Sequence, residues 1–410
     1  MKKTPKLRFK EFSGDWEEKK LGELANLTSS KRIFASDYVT SGIPFYRGKE
    51  ITELKQGKQP DDILYITNEK YDEIKNKFGA PKEGELLLTA VGTLGNSYVI
   101  CDSNPFYFKD GNLIWFQNIN INANYLDTMI SSEKGKKKIL DSAIGSTQKA
   151  LTIVELNKLK YKIPKIEEQE KIAKFFSLID NKISLQSEKV EALKDYKKGI
   201  MQKIFSRELR FKDDEGRDYP EWEEKKVEEC VDIFLGLTYT PTYVQKGIPF
   251  LSVKDISNSD EICFDNIKYI SEDEYKNATS NAKPQKGDIL FGRVGTLGNP
   301  IVINEEIDIC IFVSLGFLRV KNDNISNIFI SHWMKSESFL KQVEKKIAGS
   351  SQKNLNTGWL KSFDIEIPSI KEQNKICILL DSLDKKLKLE QEKLNSLNEY
   401  KKGLLQQMFI

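Results

Sequence analysis

The residues of this sequence that could carry out chemistry do not combine into a catalytic pattern. Asn104-Pro105-Phe106 resembles the motif of amino-methyltransferases but lacks its second proline, and no GxxxxGK[ST] loop of a nucleotide-driven motor is present. The stretch from Pro60 to Lys70 resembles a nuclease carboxylate cluster but lacks the Glu-x-Lys spacing. His332 is the single histidine, and the five cysteines form no CxxC pair, which argues against a zinc site. We therefore predict no catalytic residue, no metal site and no cofactor bound by this chain.

Two short polar segments are better suited to binding than to catalysis. GSTQK begins at Gly145 and GSSQK begins at Gly349, and their side chains could donate hydrogen bonds to phosphates or base edges. A turn that fixes the junction between a domain and the following helix is an equally good interpretation. VGTLGN occurs at Val91 and again at Val294, where it could cradle a phosphate. Because no helix pattern follows it, we predict a turn between two strands.

Both polar segments belong to a duplication of the whole chain. Trp16-EEKK returns as Trp222-EEKK, and the segment from Gly145 to Phe205 aligns without a gap with the segment from Gly349 to Phe409. These long segments are similar throughout, whereas the residues between the other shared motifs differ strongly. One part of each half should therefore repeat the same structural task, and the other part should meet two different targets.

Residues that lie near the shared motifs but differ between the halves are candidates for recognising those targets. The position of Arg47 is occupied by Ser252 in the second half, and the position of Arg293 by Ala90 in the first. An ordinary surface role is the alternative for each residue taken alone. The candidate nucleic-acid-binding residues are Ser30, Lys31, Arg32, Arg47, Ser146, Thr147, Gln148 and Lys149 in the first half, and Thr238, Tyr239, Thr240, Arg293, Ser350, Ser351, Gln352 and Lys353 in the second.

The variable part of each half is predicted to be mixed strand and loop. ELLLTAV at Glu85, NSYVI at Asn96 and FYFKDGNLIWFQ at Phe106 are apolar or aromatic runs separated by turn residues, as in strands. A helical stretch should follow at about residues 125–140 in the first half and 330–347 in the second.

The similar part of each half is predicted to be a long helix with an apolar heptad seam. The first helix leads away from the first domain, so the second must run antiparallel to bury its seam against it. We therefore predict an α+β fold in which two mixed α/β domains (1–160 and 209–364) are separated by two long helices (161–208 and 365–410). The helices form an antiparallel coiled coil, and the molecule is expected to be pseudo-twofold and near-circular. The seam residues are Ile172, Phe176, Ile179, Ile183, Gln186, Val190, Leu193, Lys197, Ile200 and Ile204, then Ile376, Leu380, Leu383, Leu387, Glu390, Leu394, Leu397, Lys401, Leu404 and Met408.

The overall composition sets few limits on the binding partner. The formal net charge is only +3, so a nucleic-acid-binding surface would need its basic residues concentrated on one face. No apolar run approaches the roughly 20 residues that a membrane-spanning helix needs. The basic start lacks the apolar stretch of a signal peptide. We therefore expect a cytoplasmic protein.

The order of these motifs resembles that of the specificity subunit of type I restriction-modification systems. A variable domain, the GSTQ-like segment, IPxIxEQxxI (at Ile163 and Ile367) and a helix ending in YKKG (at Tyr196 and Tyr400) occur twice and cover essentially the whole chain. The resemblance implies two target-recognition domains, each reading one half of a bipartite, asymmetric site in double-stranded DNA, and no catalysis by this chain. Two similar readers also suit a duplex, because half-sites on one face lie about 34 Å apart.

The resemblance also implies partner subunits. Two methyltransferase subunits would dock on the helices and use S-adenosylmethionine to methylate one adenine in each half-site, and two restriction-translocation subunits would use ATP and Mg²⁺. Glu168, Gln169, Glu372 and Gln373, in the first turns of the helices, are the candidates for partner contact. Capping and favourable placement in the helix dipole are the alternative role. A self-sufficient DNA-modifying or DNA-cleaving enzyme and a duplicated protein-binding scaffold are the alternative functions.

Overall fold

The computed structural model describes residues 4–146, 149–257, 261–295, 297–347 and 354–410. The chain divides into two compact units: unit 1 is Met1–Lys189 together with Glu390–Ile410, and unit 2 is Val190–Leu389. Each unit therefore combines one of the variable domains with part of both long helices.

Unit 1 mixes short strands with helices, and its last helix continues into unit 2. Three sheets have the strand orders β1-β10, β2-β9-β6-β7 and β3-β5-β4-β8 once the strands are numbered along the chain. The strands are β1 Glu17–Lys20, β2 Asn26–Thr28, β3 Tyr38–Val39, β4 Ile43–Tyr46, β5 Leu64–Ile66, β6 Leu86–Thr89, β7 Ser97–Val99, β8 Tyr107–Phe108, β9 Leu113–Gln117 and β10 Lys160–Ile163. The helices are α1 Leu21–Leu24, α2 Gly48–Lys55, α3 Asn68–Phe78, α4 Ala123–Ser131, α5 Glu133–Asp141, α6 Ile153–Lys158 and α7 Ile166–Phe205.

Unit 2 repeats this topology strand for strand. Its sheets have the orders β11-β20, β12-β19-β16-β17 and β13-β15-β14-β18, and the pair β14–β18 is parallel, as β4–β8 is in unit 1. The strands are β11 Glu223–Lys226, β12 Val231–Leu235, β13 Tyr243–Val244, β14 Ile248–Leu251, β15 Lys268–Ile270, β16 Ile289–Gly292, β17 Gly298–Val302, β18 Cys310–Ile311, β19 Leu315–Val320 and β20 Asp364–Ile367. The helices are α8 Val227–Cys230, α9 Glu272–Ala278, α10 Asn327–Met334, α11 Glu337–Ile347, α12 Thr357–Lys361 and α13 Ile370–Met408.

Strand β6, an interior strand of unit 1, lies between two apolar cores. Successive side chains of a strand point to opposite faces of the sheet. Leu86 and Leu88 of β6 accordingly belong to the core that also contains residues of α7 and α13, whereas Leu87 belongs to a second core with Phe108 and Trp115. Unit 2 has the same division: Ile289 and Phe291 of β16 face the core that contains the helices, and Leu290 faces the other.

The strands and turn predicted from the sequence are confirmed, with one departure. The runs at Glu85, Asn96 and Phe106 contain β6, β7, β8 and β9, and VGTLGN forms the turn between β6 and β7. Gly92 and Gly95 in this turn both have φ of +78°, a conformation that glycine adopts without steric cost. The departure concerns the single run at Phe106, which forms two strands, β8 and β9. Strand β8 pairs with β4 and is not part of the sheet that contains β6.

The helical stretch predicted after the strands is confirmed, and in each unit it consists of two helices. In unit 1 the break lies at Ser132, whose hydroxyl accepts a hydrogen bond from Gly135 N at 3.1 Å and caps α5. A serine hydroxyl competes with the backbone in this way and favours the start of a helix over its interior. Gly135 is required at this corner, since a Cβ on it would lie 2.0 Å from Met129 O. Ser336 has the equivalent role before α11, where it accepts from Phe339 N.

The predicted heptad seam is confirmed in unit 1. Ile172 and Phe176 of α7 pack in one core with Leu404 and Met408 of α13. Farther along α7, Gln186 Nε2 donates to Glu390 Oε2 at 2.7 Å. Since later residues of α7 meet earlier residues of α13, the two helices run antiparallel within this unit.

The two helices also pack antiparallel along their seam in unit 2. Ile204 of α7 shares a core with Ile376 and Leu380 of α13, and Lys197 pairs with Asp384. The ion pair has an equivalent in unit 1, where Lys401 pairs with Asp180. Polar residues at apolar seam positions specify register at some cost in stability, and here each has a partner on the opposite helix. Within the described ranges, none of the helices combines the length and apolar character required to cross a membrane.

The charge of Glu390 should contribute to the stability of the helix pair in a pH-dependent way. Hydrogen bonds from Gln186, Lys189 and Lys393 lower the pKa of Glu390 from 4.5 to about 2. Because the folded-state pKa is depressed, the stabilisation is present above pH 4.5 and is lost as the pH falls toward about 2. Glu390→Gln should therefore lower the thermal unfolding midpoint at neutral pH, and the difference from the wild type should shrink as the pH falls through this range.

Glu399→Gln is the matched control for this measurement. Glu399 lies on the same helix, 76% exposed, and its carboxylate is 4.0 Å from Lys402. This substitution should leave the unfolding midpoint nearly unchanged, because exposed ion pairs contribute little to the free energy of unfolding. A difference in midpoint between Glu390→Gln and the wild type that does not change with pH would contradict the stabilising role given to the Glu390 charge.

Candidate nucleic-acid interface

In unit 1, a loop before β3 is held against the turn that joins β8 to β9. Lys31 N donates to Tyr107 Oη at 2.8 Å, and Arg32 Nε donates to Asp110 Oδ2 at 2.8 Å. The Arg32 side chain remains 67% exposed, so its guanidinium can still reach a ligand. Ser30 differs from both, because its hydroxyl is buried and has no hydrogen-bond partner among the described residues.

Arg47 lies immediately before α2 and is anchored within the unit. Its Nη2 contacts Glu50 Oε1 at 2.5 Å and Asp62 Oδ2 at 3.3 Å. Burial alone would raise the pKa of the enclosed Glu50 carboxyl, but its hydrogen bonds with Arg47 lower it below the ordinary value. In unit 2, Ser252 N similarly donates to the buried Asp255 at 2.7 Å. Both positions therefore start the next helical turn, and Arg47 adds a partly exposed cation that Ser252 lacks.

The described residues on either side of Thr147 and Gln148 lie beside the turn that follows β6. A bridge pairs Ile144 with Ala150, and Leu151 N donates to Ala90 O at 2.9 Å. Ser146 and Lys149 are exposed. Thr147 and Gln148 lie outside the described residues. In the second half, Ser350, Ser351, Gln352 and Lys353 also lie outside them.

Unit 2 gathers its candidates around the equivalent turn, between β18 and β19. Val313 N donates to Leu237 O at 2.9 Å, which places the exposed Thr238, Tyr239 and Thr240 next to this turn. Arg293 Nη1 donates to Val313 O at 2.9 Å, and its partial burial lowers the pKa of the guanidinium. Arg293 thus ties two loops together and is less free to contact a ligand than the sequence suggested.

These contacts bring the described candidates of each unit into a few neighbouring segments. We call these segments the recognition loops. They comprise residues 29–32, 47–58, 90–93 and 109–112 in unit 1, and residues 237–240, 252–257, 293–295 and 312–314 in unit 2.

A cleft of about 660 Å³ opens among the recognition loops of unit 1. Its walls are helix α2 and the turn after β6, and Thr52, Thr93 and Asn112 supply hydroxyl and amide groups. Arg47, Lys49 and Lys58 place three cations on its lining. Cations combined with neutral hydrogen-bonding groups suit phosphates and base edges better than an apolar ligand.

Of the residues first inspected for chemistry, His332 has a structural role. His332 is buried, and its Nε2 lies 2.9 Å from Asp381 Oδ1, a contact that lowers the pKa of that carboxyl. His332 therefore packs α10 against α13. Within the described part of the chain, no group of three or more histidine, cysteine or acidic side chains is arranged to hold a metal ion.

The residues expected to contact partner subunits are used inside each unit. Glu168 accepts hydrogen bonds from Arg8 at 2.7 Å and from Trp16 at 3.3 Å, and Glu372 has the same partners in unit 2, Arg210 and Trp222. The repeated Trp-EEKK motif thus supplies the tryptophan that seats the repeated helix.

Gln169 and Gln373, which follow these two glutamates in the sequence, are also buried. Gln169 accepts from Asn122 N at 3.0 Å, and Gln373 accepts from Ser326 N at 2.8 Å. All four side chains are at most 3% exposed. Because a side chain buried to this degree cannot touch a docked protein, the expectation of direct partner contact is replaced by a role in fixing each helix to its domain.

Exposed apolar residues on the helices were missed in the sequence. Leu185 and Leu389 occupy equivalent positions of the repeat and are 66% and 57% exposed, and Tyr196 and Tyr400 are a second equivalent pair, each 57% exposed. The seam does not use them. One signal in the sequence could have revealed them: the same residue type occurs at matched positions of the two helices, outside the heptad seam.

Arg210 and Trp222 both donate hydrogen bonds to Glu372, and we call this arrangement the clamp of unit 2. Its structural role can be tested by substitution. Glu372→Ala should destabilise unit 2 by about 2 kcal/mol, because it leaves the buried Trp222 N–H without an acceptor and Arg210 without its buried partner. Glu221→Ala is the matched control, since Glu221 pairs with the same Arg210 at 3.1 Å but is 84% exposed. Its cost should stay below about 1 kcal/mol. Urea unfolding measures both, and equal effects of the two substitutions would contradict the clamp.

Comparison with known proteins assigns the chain to a family. Residues 13–195 and 219–399 match the family model described as "Type I restriction modification DNA specificity domain". The MjaVIII specificity subunit of Methanocaldococcus jannaschii is 24% identical over 97% of this chain and 94% of its own length. The EcoBI specificity subunit of Escherichia coli is 29% identical over 34% of this chain and 29% of its own.

Solved structures agree on the fold. The S subunit of a type I restriction-modification system from M. genitalium aligns over 99% of both chains with a TM-score of 0.59 at 17% identity. A chain from a structure of type I restriction-modification complex assembly aligns over 95% of this chain and 96% of its own, also with a TM-score of 0.59, at 16% identity. The family match covers both copies of the repeat, and this chain belongs to the family of type I restriction-modification DNA specificity subunits.

Proposed function

We propose that each unit reads one half of a bipartite, asymmetric site in double-stranded DNA. The observation that carries this proposal is that two units of identical strand order present different residues in their recognition loops. Where unit 1 has Arg47 and the α-helix α2, unit 2 has Ser252 and a 3-10 turn, Val253–Asp255. A common framework with different loops is what two unlike half-sites would require.

The chemistry of the loops supports DNA as the ligand. Arg32 offers an exposed cation for phosphates, a contact that positions the protein without reading sequence. Hydroxyl and amide groups beside them, such as Thr93 and Asn112, can address base edges.

The division of labour predicts that a change in one unit alters one half-site. Asn112→Ala in unit 1 and Tyr239→Ala in unit 2 should each change the preferred bases in a single half-site, and not the same one. The sites are obtained by sequencing the methylated adenines of a host that carries the chain and its methyltransferase partner. Lys174→Ala, at an exposed position of α7, is the control and should leave both half-sites unchanged. A change in both half-sites from either single variant would refute the division.

The helices are proposed to dock the partner subunits. Two methyltransferase subunits would bind at the equivalent surfaces marked by Leu185, Leu389, Tyr196 and Tyr400, and two restriction-translocation subunits would join them. S-adenosylmethionine would be held by the methyltransferase subunits, and ATP and Mg²⁺ by the restriction-translocation subunits. This chain would then contribute recognition, and the methyl transfer would take place entirely on its partners. Exposed leucine and tyrosine side chains, repeated at matched positions, support a docking surface that is used twice.

Docking is tested by charge placed on the repeated leucines. The double variant Leu185→Asp/Leu389→Asp should weaken methyltransferase binding at least tenfold, because burying an unpaired carboxylate in an interface costs more than about 1.4 kcal/mol. Val154→Asp, which changes a 64% exposed residue of α6, is the control and should bind normally. Calorimetric titration measures the affinity, and thermal unfolding checks that both variants fold. Undiminished binding by the double variant would place the docking surface elsewhere, and methyl transfer by the chain alone would contradict its non-catalytic role.

A further inference from the structure

The cleft of unit 1 contains a paired cation and anion on one face of α2. Lys49 and Glu53 are one helical turn apart, and Lys49 Nζ lies 3.7 Å from Glu53 Oε1. The other carboxylate oxygen, Glu53 Oε2, is buried and has no hydrogen-bond partner among the described residues. Both side chains line the cleft.

This arrangement differs from an ordinary surface ion pair of a helix. Glu73 and Lys77 on α3 are also one turn apart, 3.0 Å from each other, but both are at least half exposed. Water satisfies the free carboxylate oxygen of such a pair. Glu53 is only 25% exposed, so its unpaired oxygen carries a desolvation penalty in the free protein. A hydrogen bond from a ligand to the other oxygen, Oε1, would compensate the carboxylate for part of that penalty.

The surrounding charges narrow the chemistry of that ligand. Arg47, Lys49 and Lys58 of the lining outnumber its two carboxylates, Glu53 and Asp62, which favours an anionic ligand. Lys49 Nζ also lies 3.6 Å from the exposed Asp61. The Glu53 carboxylate raises the pKa of Lys49, so the ammonium group stays charged and remains a donor. The cleft therefore presents one strong acceptor and one strong donor side by side to an anionic ligand.

A C·G base pair has the complementary pattern on its major-groove edge. Cytosine offers its N4 amino group as a donor, and guanine offers O6 and N7 as acceptors. Cytosine N4 and guanine O6 are themselves hydrogen-bonded, about 2.9 Å apart, which is close to the spacing of the two protein groups. Adenine fits less well, because its N7 acceptor beside the amino group would repel a carboxylate. An α-helix also fits the width of the major groove.

We propose that Lys49 and Glu53 together read one C·G pair in the half-site bound by unit 1, Glu53 accepting from cytosine N4 and Lys49 donating to guanine. The inference rests on the proposed DNA recognition by this unit. Ile51, fully buried in the core beneath, fixes the helix that carries both residues.

The test is a selection of duplexes by the complex of the full chain with its methyltransferase partner. The pool is randomised across one half-site at a time, and the bound molecules are sequenced. The wild type should require C·G at one position of one half-site. Glu53→Gln should lower the discrimination at that position by between about 5-fold and about 150-fold, and should increase the acceptance of adenine, which an amide can bind through N6 and N7. Lys49→Met, which keeps the side-chain stem, should relax the same position.

Glu73→Gln is the matched control, since it breaks an exposed pair of the same spacing in the same unit, and its selected sequence should equal that of the wild type. Thermal unfolding confirms that each variant is folded. A Lys49→Met variant that binds all sequences more weakly by the same factor would overturn the proposal, because Lys49 would then contact phosphate. An unchanged preference in Glu53→Gln would overturn it while leaving the proposed function intact. A wild-type complex that selects no sequence would refute both.

Discussion

Burial of an apolar seam between two helix segments that are distant in the chain is the constraint on which each unit depends. In unit 1, Ile172 and Phe176 of α7 share one continuous core with Leu404 of α13 and with Leu86 and Leu88 of strand β6. The helices are therefore part of the domain core and cannot be regarded as a separate appendage. The Arg8–Glu168 and Arg210–Glu372 clamps close the edge of this core, so the start of each repeat is bound to the helix that ends it.

The features best predicted from the sequence were those with a long period or a local cause. The heptad seam extends over many turns, and each of its polar members proved to face a partner, as Gln186 faces Glu390. The glycines of VGTLGN indicated a turn, because positive φ is a local requirement. The break at Ser132 was missed, since apolar periodicity continues across it and only the capping hydroxyl and the close contact at Gly135 reveal it.

Predictions about individual site residues depended on what tertiary contacts left exposed. Arg32 and Tyr239 are exposed among the recognition loops, whereas Arg293 is largely committed to holding backbone carbonyls. Glu168 and Glu372 looked like surface acids at helix starts, but segments far away in the sequence cover them. Charge and position along a helix cannot show which residue will be enclosed by a distant tryptophan. The exposed Leu185 and Leu389 were overlooked, although leucine at matched positions outside the heptad seam of both helices was a visible signal.

The two-sided packing of strand β6 has an evolutionary consequence. Leu87 belongs to a core with Phe108 and Trp115 beneath the recognition loops, while Leu86 and Leu88 belong to the core that includes the helices. Substitutions that reshape the first core need not disturb the second, because one layer of backbone separates them. Selection can therefore change the outer layer of each unit, which lies under the recognition loops, while the core that holds the long helices keeps its packing.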